Sequence, residues 1–301
     1  MFKSVGSFFK QTFSEWSRDK VPVMAAALAY YAIFAIAPLF LIAIAIAGFV
    51  LGEQAAQGQL MSQIEGVVGQ QGAQVIESMI AGASNTSGGI IATALGVAAL
   101  LFGASTLFVQ LQYALNVIWE VRRKPERGIM GTVKDRLVAV AMVISIGILL
   151  IALMVASSVL WSLTSYFEGV LPLPGWFWQL VNFFGSFIIL IPLFALILKV
   201  VPDVKIAWKD VWIGAAAIAI LFAVGQFLLG LYLGSKSFSS TYGVAGAALL
   251  LLVWIYYSAQ IFLLGAEMTQ VYARRYGRKI EPADDAYFVR KERDEQERKA
   301  A

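Results

Sequence analysis

The polar side chains that could do chemistry in this chain are few, and they fall into two spaced sets. Ser105, Gln112, Asn116 and Glu120 follow one another at steps of seven, four and four. At about 100° per residue a helix brings them within roughly 80° of one another, as one polar stripe. Inside an apolar segment such a stripe has two readings. It walls a hydrophilic cavity open toward the cytoplasm, or it supplies interhelical hydrogen bonds that fix packing, worth roughly 0.6 kcal/mol each. Gly246, Tyr257, Gln260 and Glu267 form the second set, at steps of eleven, three and seven on one helical face. Glu267 lies within an apolar run, where a carboxylate is costly. It either pairs with an inner-loop arginine or acts as a proton- or cation-coupling group. Tyr30, Tyr31 and Pro38 add polar hydroxyls and a helix breaker to the first apolar run. Pro38, like Pro192 further on, frees backbone carbonyls. It is read as a simple kink, or as one of the broken helices on which transporters build sites.

What is missing excludes more. The chain has no cysteine and no histidine. Disulfides, thiolate nucleophiles, cysteine-based zinc or iron–sulfur sites, and imidazole bases or ligands are therefore ruled out. No Gly-rich phosphate loop and no Asp/Glu cluster spaced for a metal stands in the sequence. The expectation is a protein with no catalytic residues, no metal and no cofactor. The net charge is +4, and the charged C-terminal run mixes both signs, so no nucleic-acid partner is expected.

The elements that position these residues follow from composition. Of 301 residues, 59% are hydrophobic and 14% charged, against nearer 45–50% and about 25% in soluble domains. A bilayer core of about 30 Å needs roughly 20 apolar residues per helix. Six stretches qualify, at about 23–51, 89–109, 137–161, 180–200, 211–233 and 243–271. Lys and Arg are one-sided. Four precede the first span, six lie between spans two and three, three between four and five, and nine after span six. That leaves Lys236 alone on the other side, 22 of 23 against one. The positive-inside rule then predicts both termini in the cytoplasm. The expected fold is all-α, a polytopic integral membrane protein with six transmembrane helices, N-in and C-in.

Three regions flank or join the spans. Residues 1–20 place Phe2, Val5, Phe9, Phe13 and Trp16 on one helical face. This predicts an amphipathic helix, either on the anionic inner leaflet or against the protein's own cytoplasmic loops. Residues 21–276 hold the six-helix domain. Residues 277–301 are dense in charge and read as a cytoplasmic tail, a solvated helix or disordered. Between spans one and two, the spacing of Leu60, Ile64, Val68, Val75 and Met79 suggests one or two short helices at the outer interface. Gly66, Gly69 and Gly72 break any longer one. Ala25, Ala26, Ala27 and Ala29, and the run Gly214–Ala219, are small-residue faces for close helix approach. Such faces serve contacts within one copy or in a homo-oligomer.

Three segments carry a family resemblance. They are 26–39 (AALAYYAIFAIAPL), 102–119 (FGASTLFVQLQYALNVIW) and the stretch from Tyr242-Gly-Val-Ala-Gly to Trp254-Ile-Tyr-Tyr-Ser-Ala-Gln-Ile-Phe-Leu-Leu-Gly-Ala-Glu267. With length and span number, they make the chain resemble the YihY/virulence-factor BrkB family of bacterial inner-membrane proteins over about residues 1–275, the tail lying outside. The resemblance implies an envelope role, with small-molecule export or lipid handling as the proposed activity. An older ribonuclease BN label looks like a misannotation. The shared motifs contain Tyr30, Tyr31, Pro38, Gln112, Asn116, Tyr257, Gln260 and Glu267. This favours a site between spans one, two and six. The resulting expectation is a multi-pass inner-membrane transporter or lipid-handling protein acting on an unidentified small molecule or lipid, with membrane lipids as partners. The alternative is a non-catalytic envelope scaffold.

Overall fold

A computed structural model describes residues 2–84, 89–124, 128–171, 173–234, 239–277 and 280–289. Eight helices and four short strands lie within them: α1 Phe2–Arg18, α2 Val21–Leu51, α3 Glu53–Ser84, α4 Gly89–Ile118, β1 Val121–Arg123, α5 Gly128–Val170, α6 Gly175–Val200, β2 Val204–Lys205, α7 Trp208–Gly234, α8 Ser239–Tyr276, β3 Glu281–Pro282 and β4 Ala286–Phe288. Each of the six apolar stretches lies within one helix, in order, on α2, α4, α5, α6, α7 and α8. Over the described residues, three helical stretches are long and apolar enough to cross a membrane: Val21–Ala45, Trp208–Leu228 and Ala248–Tyr276.

Local sequence explains the boundaries. Pro22 sits in the first turn of α2, where its missing N–H costs nothing. Lys20 takes a left-handed conformation, φ 54°, at the corner between α1 and α2. Gly52 closes α2 with φ 82°. α3 is two helices meeting at Gly69, whose φ of 75° is open to glycine at little cost. Both halves pack inward through Leu60, Ile64, Val68, Val75, Ile76 and Ile80, against Ala43 and Ile44 of α2 and Leu251 and Trp254 of α8. The segment between spans one and two is thus an integral part of the core.

The small-residue face of α7 works as expected. A Cβ on Gly214 would clash with the Gly265 carbonyl oxygen of α8, and one on Gly265 would lie 3.0 Å from the Gly214 carbonyl oxygen. α7 and α8 therefore meet backbone to backbone. Ala215, Ile218 and Ala219 are buried beside that crossing.

One end of the bundle is tied together by the strands. β1 pairs antiparallel with β4 and β2 with β3. Backbone bonds from Ala283 N to Asp203 O (2.9 Å) and Val289 N to Glu120 O (3.0 Å) extend the seam. Residues 280–289 thus form a strap across the α4–α5 and α6–α7 connections. This corrects the expectation of a solvated helix or disorder from residue 277 onward. Strands of two and three residues carry too little periodicity to show against a charged background. Residues 290–301, which hold the densest charge, lie outside the described residues.

Candidate functional site

Asp203, between α6 and β2, organises the strap-bearing end. Its carboxylate is buried and accepts from four donors. Asn116 Nδ2 lies at 2.7 Å and Gln112 Nε2 at 3.2 Å. Arg123 completes the set as a fork, Nε at 2.8 Å and Nη2 at 3.0 Å. The Asp203 N–H donates back to Asn116 Oδ1 (2.9 Å), and Gln112 Nε2 also reaches the Val201 carbonyl (3.1 Å). The central part of the predicted polar stripe is therefore a clamp joining α4 to the α6–α7 connection. Asp203 was absent from the sequence-derived candidates. It is the single acid among Lys199, Lys205 and Lys209, a signal that charge counting alone averages away.

The stripe's lower end has another use. Glu120 takes φ 53° just beyond α4, a conformation uncommon outside glycine. It accepts from Arg18 Nη2 (2.8 Å) and pairs with Arg274 Nη2 (2.9 Å). Arg18 also meets Glu15 (2.5 Å) and Asp19 (3.2 Å). Burial pushes the Asp19 carboxyl above its ordinary value, although Arg18 beside it pulls the other way. Arg275 of α8 donates to Gln11 Oε1 (2.6 and 2.8 Å), to Ser7 Oγ (3.0 Å) and to the Ser7 carbonyl (2.9 Å). α1 thus docks on α8 through Ser7 and Gln11, with the Arg275 guanidinium also over the Phe8 ring. Three residues of its apolar stripe point away: Val5, Phe9 and Phe13 are 51%, 46% and 55% exposed. Trp16 alone of that stripe's described members packs on the core.

Glu267 lies on α8 one helical turn after Leu263, with 0% exposure. Among the described residues neither carboxylate oxygen has a hydrogen-bond partner. The two arginines nearest in sequence are engaged elsewhere, Arg274 with Glu120 and Arg275 with α1. The charges acting on Glu267 are the carboxylates of Asp19 and Glu15 and the guanidinia of Arg18 and Arg274. Close by in sequence, Gln270 Nε2 donates to the Ile118 carbonyl, while its Oε1 and the Trp119 indole N–H are buried without partners among the described residues.

The remaining candidates lie in separate surroundings. Tyr30 is exposed on the outer face of α2, edge-on to Tyr31 (5.4 Å) and Phe34 (5.1 Å). Pro38 is buried within a continuous α2. The Ser105 hydroxyl donates to the Phe102 carbonyl of its own helix (2.8 Å). Tyr257 reaches the Leu221 carbonyl of α7 (3.3 Å) and packs against Gly225, where a Cβ would clash with its ring. Gln260 donates to Tyr256 Oη, one turn back (2.6 Å).

A cleft of about 430 Å³ opens along α4 and β1. Val109, Tyr113 and Val117 line its upper wall, and Gln112, Asn116 and Glu120 one side. Arg122, Arg123 and Val289 close its strap-bearing end.

With this geometry in place, the comparisons with known proteins fall into line. The family model described as virulence factor BrkB matches residues 12–288, so the match runs through the strap rather than stopping near 275. A UPF0761 membrane protein of Verminephrobacter eiseniae is 31% identical over 86% of this chain and 60% of its own length. One from Aeromonas salmonicida is 27% identical over 88% of each. The ribonuclease-like protein YfkH of Bacillus subtilis is 25% identical over 89% of this chain and 96% of its own. The chain thus spans about three fifths of some curated relatives and nearly all of others. No solved structure matches it. Apolar helices long enough to cross a bilayer and a family match over most of the chain make this a multi-pass protein of the bacterial inner membrane, a member of the BrkB virulence-factor family.

Proposed function

We propose that the protein is a non-enzymatic transporter or lipid-handling protein, with six transmembrane helices and both ends in the cytoplasm, in which Glu267 is the coupling or gating group. The observation that carries this reading is the carboxylate of Glu267, fully buried in a membrane-spanning helix with both oxygens unpartnered among the described residues. Leaving a buried charge unpaired is among the costliest arrangements in a protein. In a membrane such groups mark ion and proton pathways. Glu15 and Arg18 of α1, Asp19 just after it and Arg274 of α8 are the charged groups whose fields reach Glu267. Lys and Arg crowd the connections at the strap-bearing end, which supports its cytoplasmic placement.

The ribonuclease-like name of the Bacillus relative is not carried over. Hydrolysing RNA calls for a metal cluster or a strong general base. The chain has no histidine, and among the described residues no three acidic groups converge as metal ligands.

The test is Glu267→Gln, with deletion-strain complementation and translocation of fluorescent phospholipid in proteoliposomes as readouts. Lost complementation in a protein that still folds supports the reading. Full complementation removes Glu267 from the mechanism and leaves the scaffold reading in its place. Labelled RNA incubated with purified protein should stay intact, and specific cleavage would reinstate the nuclease reading. The cysteine-free chain suits topology mapping. Arg122→Cys should react with impermeant thiol reagent from the cytoplasmic side, and Gly58→Cys from the other.

A further inference from the structure

The cleft on α4 is graded in polarity, and its charges do not cancel. Phe102, Val109 and Tyr113 are exposed on α4 at steps of seven and four, so one apolar stripe runs along the helix toward the strap. Val109, Tyr113 and Val117 carry it into the cleft over about 12 Å of helix. At the other end the polar groups are mostly committed. Gln112, Asn116 and Arg123 serve Asp203, and Glu120 is neutralised by Arg18 and Arg274. Arg122 is exposed and, among the described residues, has no ion-pair or hydrogen-bond partner. Its backbone is fixed opposite Tyr287 in the β1–β4 ladder. Among the described residues, β1 thus presents one guanidinium without a counter-charge at the foot of an apolar wall.

We propose that this cleft is a binding site for an anionic phospholipid of the adjacent leaflet, with the headgroup phosphate on Arg122 and an acyl chain along Phe102, Val109 and Tyr113. Guanidinium matches phosphate oxygens in a bidentate fork. The apolar wall selects a lipid over a soluble anion, because its exposed side chains gain only from a hydrocarbon partner. The site does not depend on any role of Glu267.

The experiment is native mass spectrometry of the full-length protein with short-chain phosphatidylglycerol, phosphatidylcholine and inorganic phosphate as probes. Wild type should retain phosphatidylglycerol in preference to phosphatidylcholine. Arg122→Gln should weaken that binding about tenfold, the loss of about one charge-assisted contact. Val109→Asp should weaken it too, by spoiling the acyl wall. Lys124→Gln, whose ammonium rests on the Asp284 carbonyl outside the cleft, should not. Unchanged phosphatidylglycerol binding in Arg122→Gln overturns the site. Displacement of the lipid from wild type by millimolar inorganic phosphate overturns its assignment to a lipid.

Discussion

Asp203 and Glu267 are both buried carboxylates toward the strap-bearing end, and the fold treats them in opposite ways. Asp203 is surrounded by donors: two amides, an arginine fork, and its own N–H bonded back to Asn116. Glu267 has none among the described residues. Burial alone therefore says little about a role. What separates a structural acid from a functional candidate is whether the surroundings were built to satisfy it.

The largest expected effect tests that contrast directly. Asp203→Ala strands Arg123 and two amides, and breaking a buried pair costs about 3–5 kcal/mol. Melting in detergent should fall by many degrees. Glu267→Gln should melt at or above wild type, since an amide is easier to bury than an unpaired charge. If both variants melt alike, the contrast collapses.

Next in size is Gly214→Val. Its branched side chain would push into the Gly265 carbonyl and the Thr269 side chain, and overpacking of this kind costs about 1–3 kcal/mol. This α7–α8 crossing underlies Glu267, so the same variant, read by thermal melting, asks whether the unpaired acid sits in a rigid or a yielding frame. A wild-type melt would mean the helices yield.

A smaller effect comes from Glu120→Gln. It removes two arginine contacts from a group with about a quarter of its side chain exposed, one of them to the half-exposed Arg18. About 1 kcal/mol is expected. The clearer readout is faster amide hydrogen exchange in α1, because Glu120 is where α4 holds that helix. Unchanged exchange would leave Arg275 and the packing of Trp16 to hold that helix.

The smallest effect is a pH dependence of α1 docking. Burial raises Asp19 above its value in the free chain, so its neutral form is the one favoured when α1 is docked. Docking is strongest below the ordinary carboxylate value and weakens as pH climbs through the raised one. The protection of α1 amides relative to their intrinsic exchange rates should fall over that interval, and Asp19→Asn should flatten that profile. An opposite slope would show that the Arg18 contact outweighs burial.

Much of the architecture was legible in order and extent. The first apolar run, read as about 23–51, is α2, Val21–Leu51, and the fifth, 211–233, lies inside α7, Trp208–Gly234. Of Gly66, Gly69 and Gly72, flagged together as breaks, Gly69 is one, while Gly66 and Gly72 stay helical within α3. The candidate site was less legible. Gln112 and Asn116 were correctly placed on one face, but their partner Asp203 lies more than 80 residues away in a connection without periodicity. The amphipathic stripe of α1 was also clear, yet its spacing could not say which face meets the protein. In the structure the polar face docks, and most of the apolar one stays outside.

The sequence by itself determined the solvent and the missing chemistry. Apolar runs of bilayer length need no tertiary contact to be recognised, because a lipid core demands internal backbone bonding and an apolar exterior from each helix alone. Absent cysteine and histidine are likewise facts of composition. Only the tertiary structure decided which polar groups are satisfied. Hydrogen bonds and ion pairs depend on distances between segments far apart in the chain. Asp203 found its donors, Arg274 chose Glu120, and Glu267 was left without a hydrogen-bond partner among the described residues.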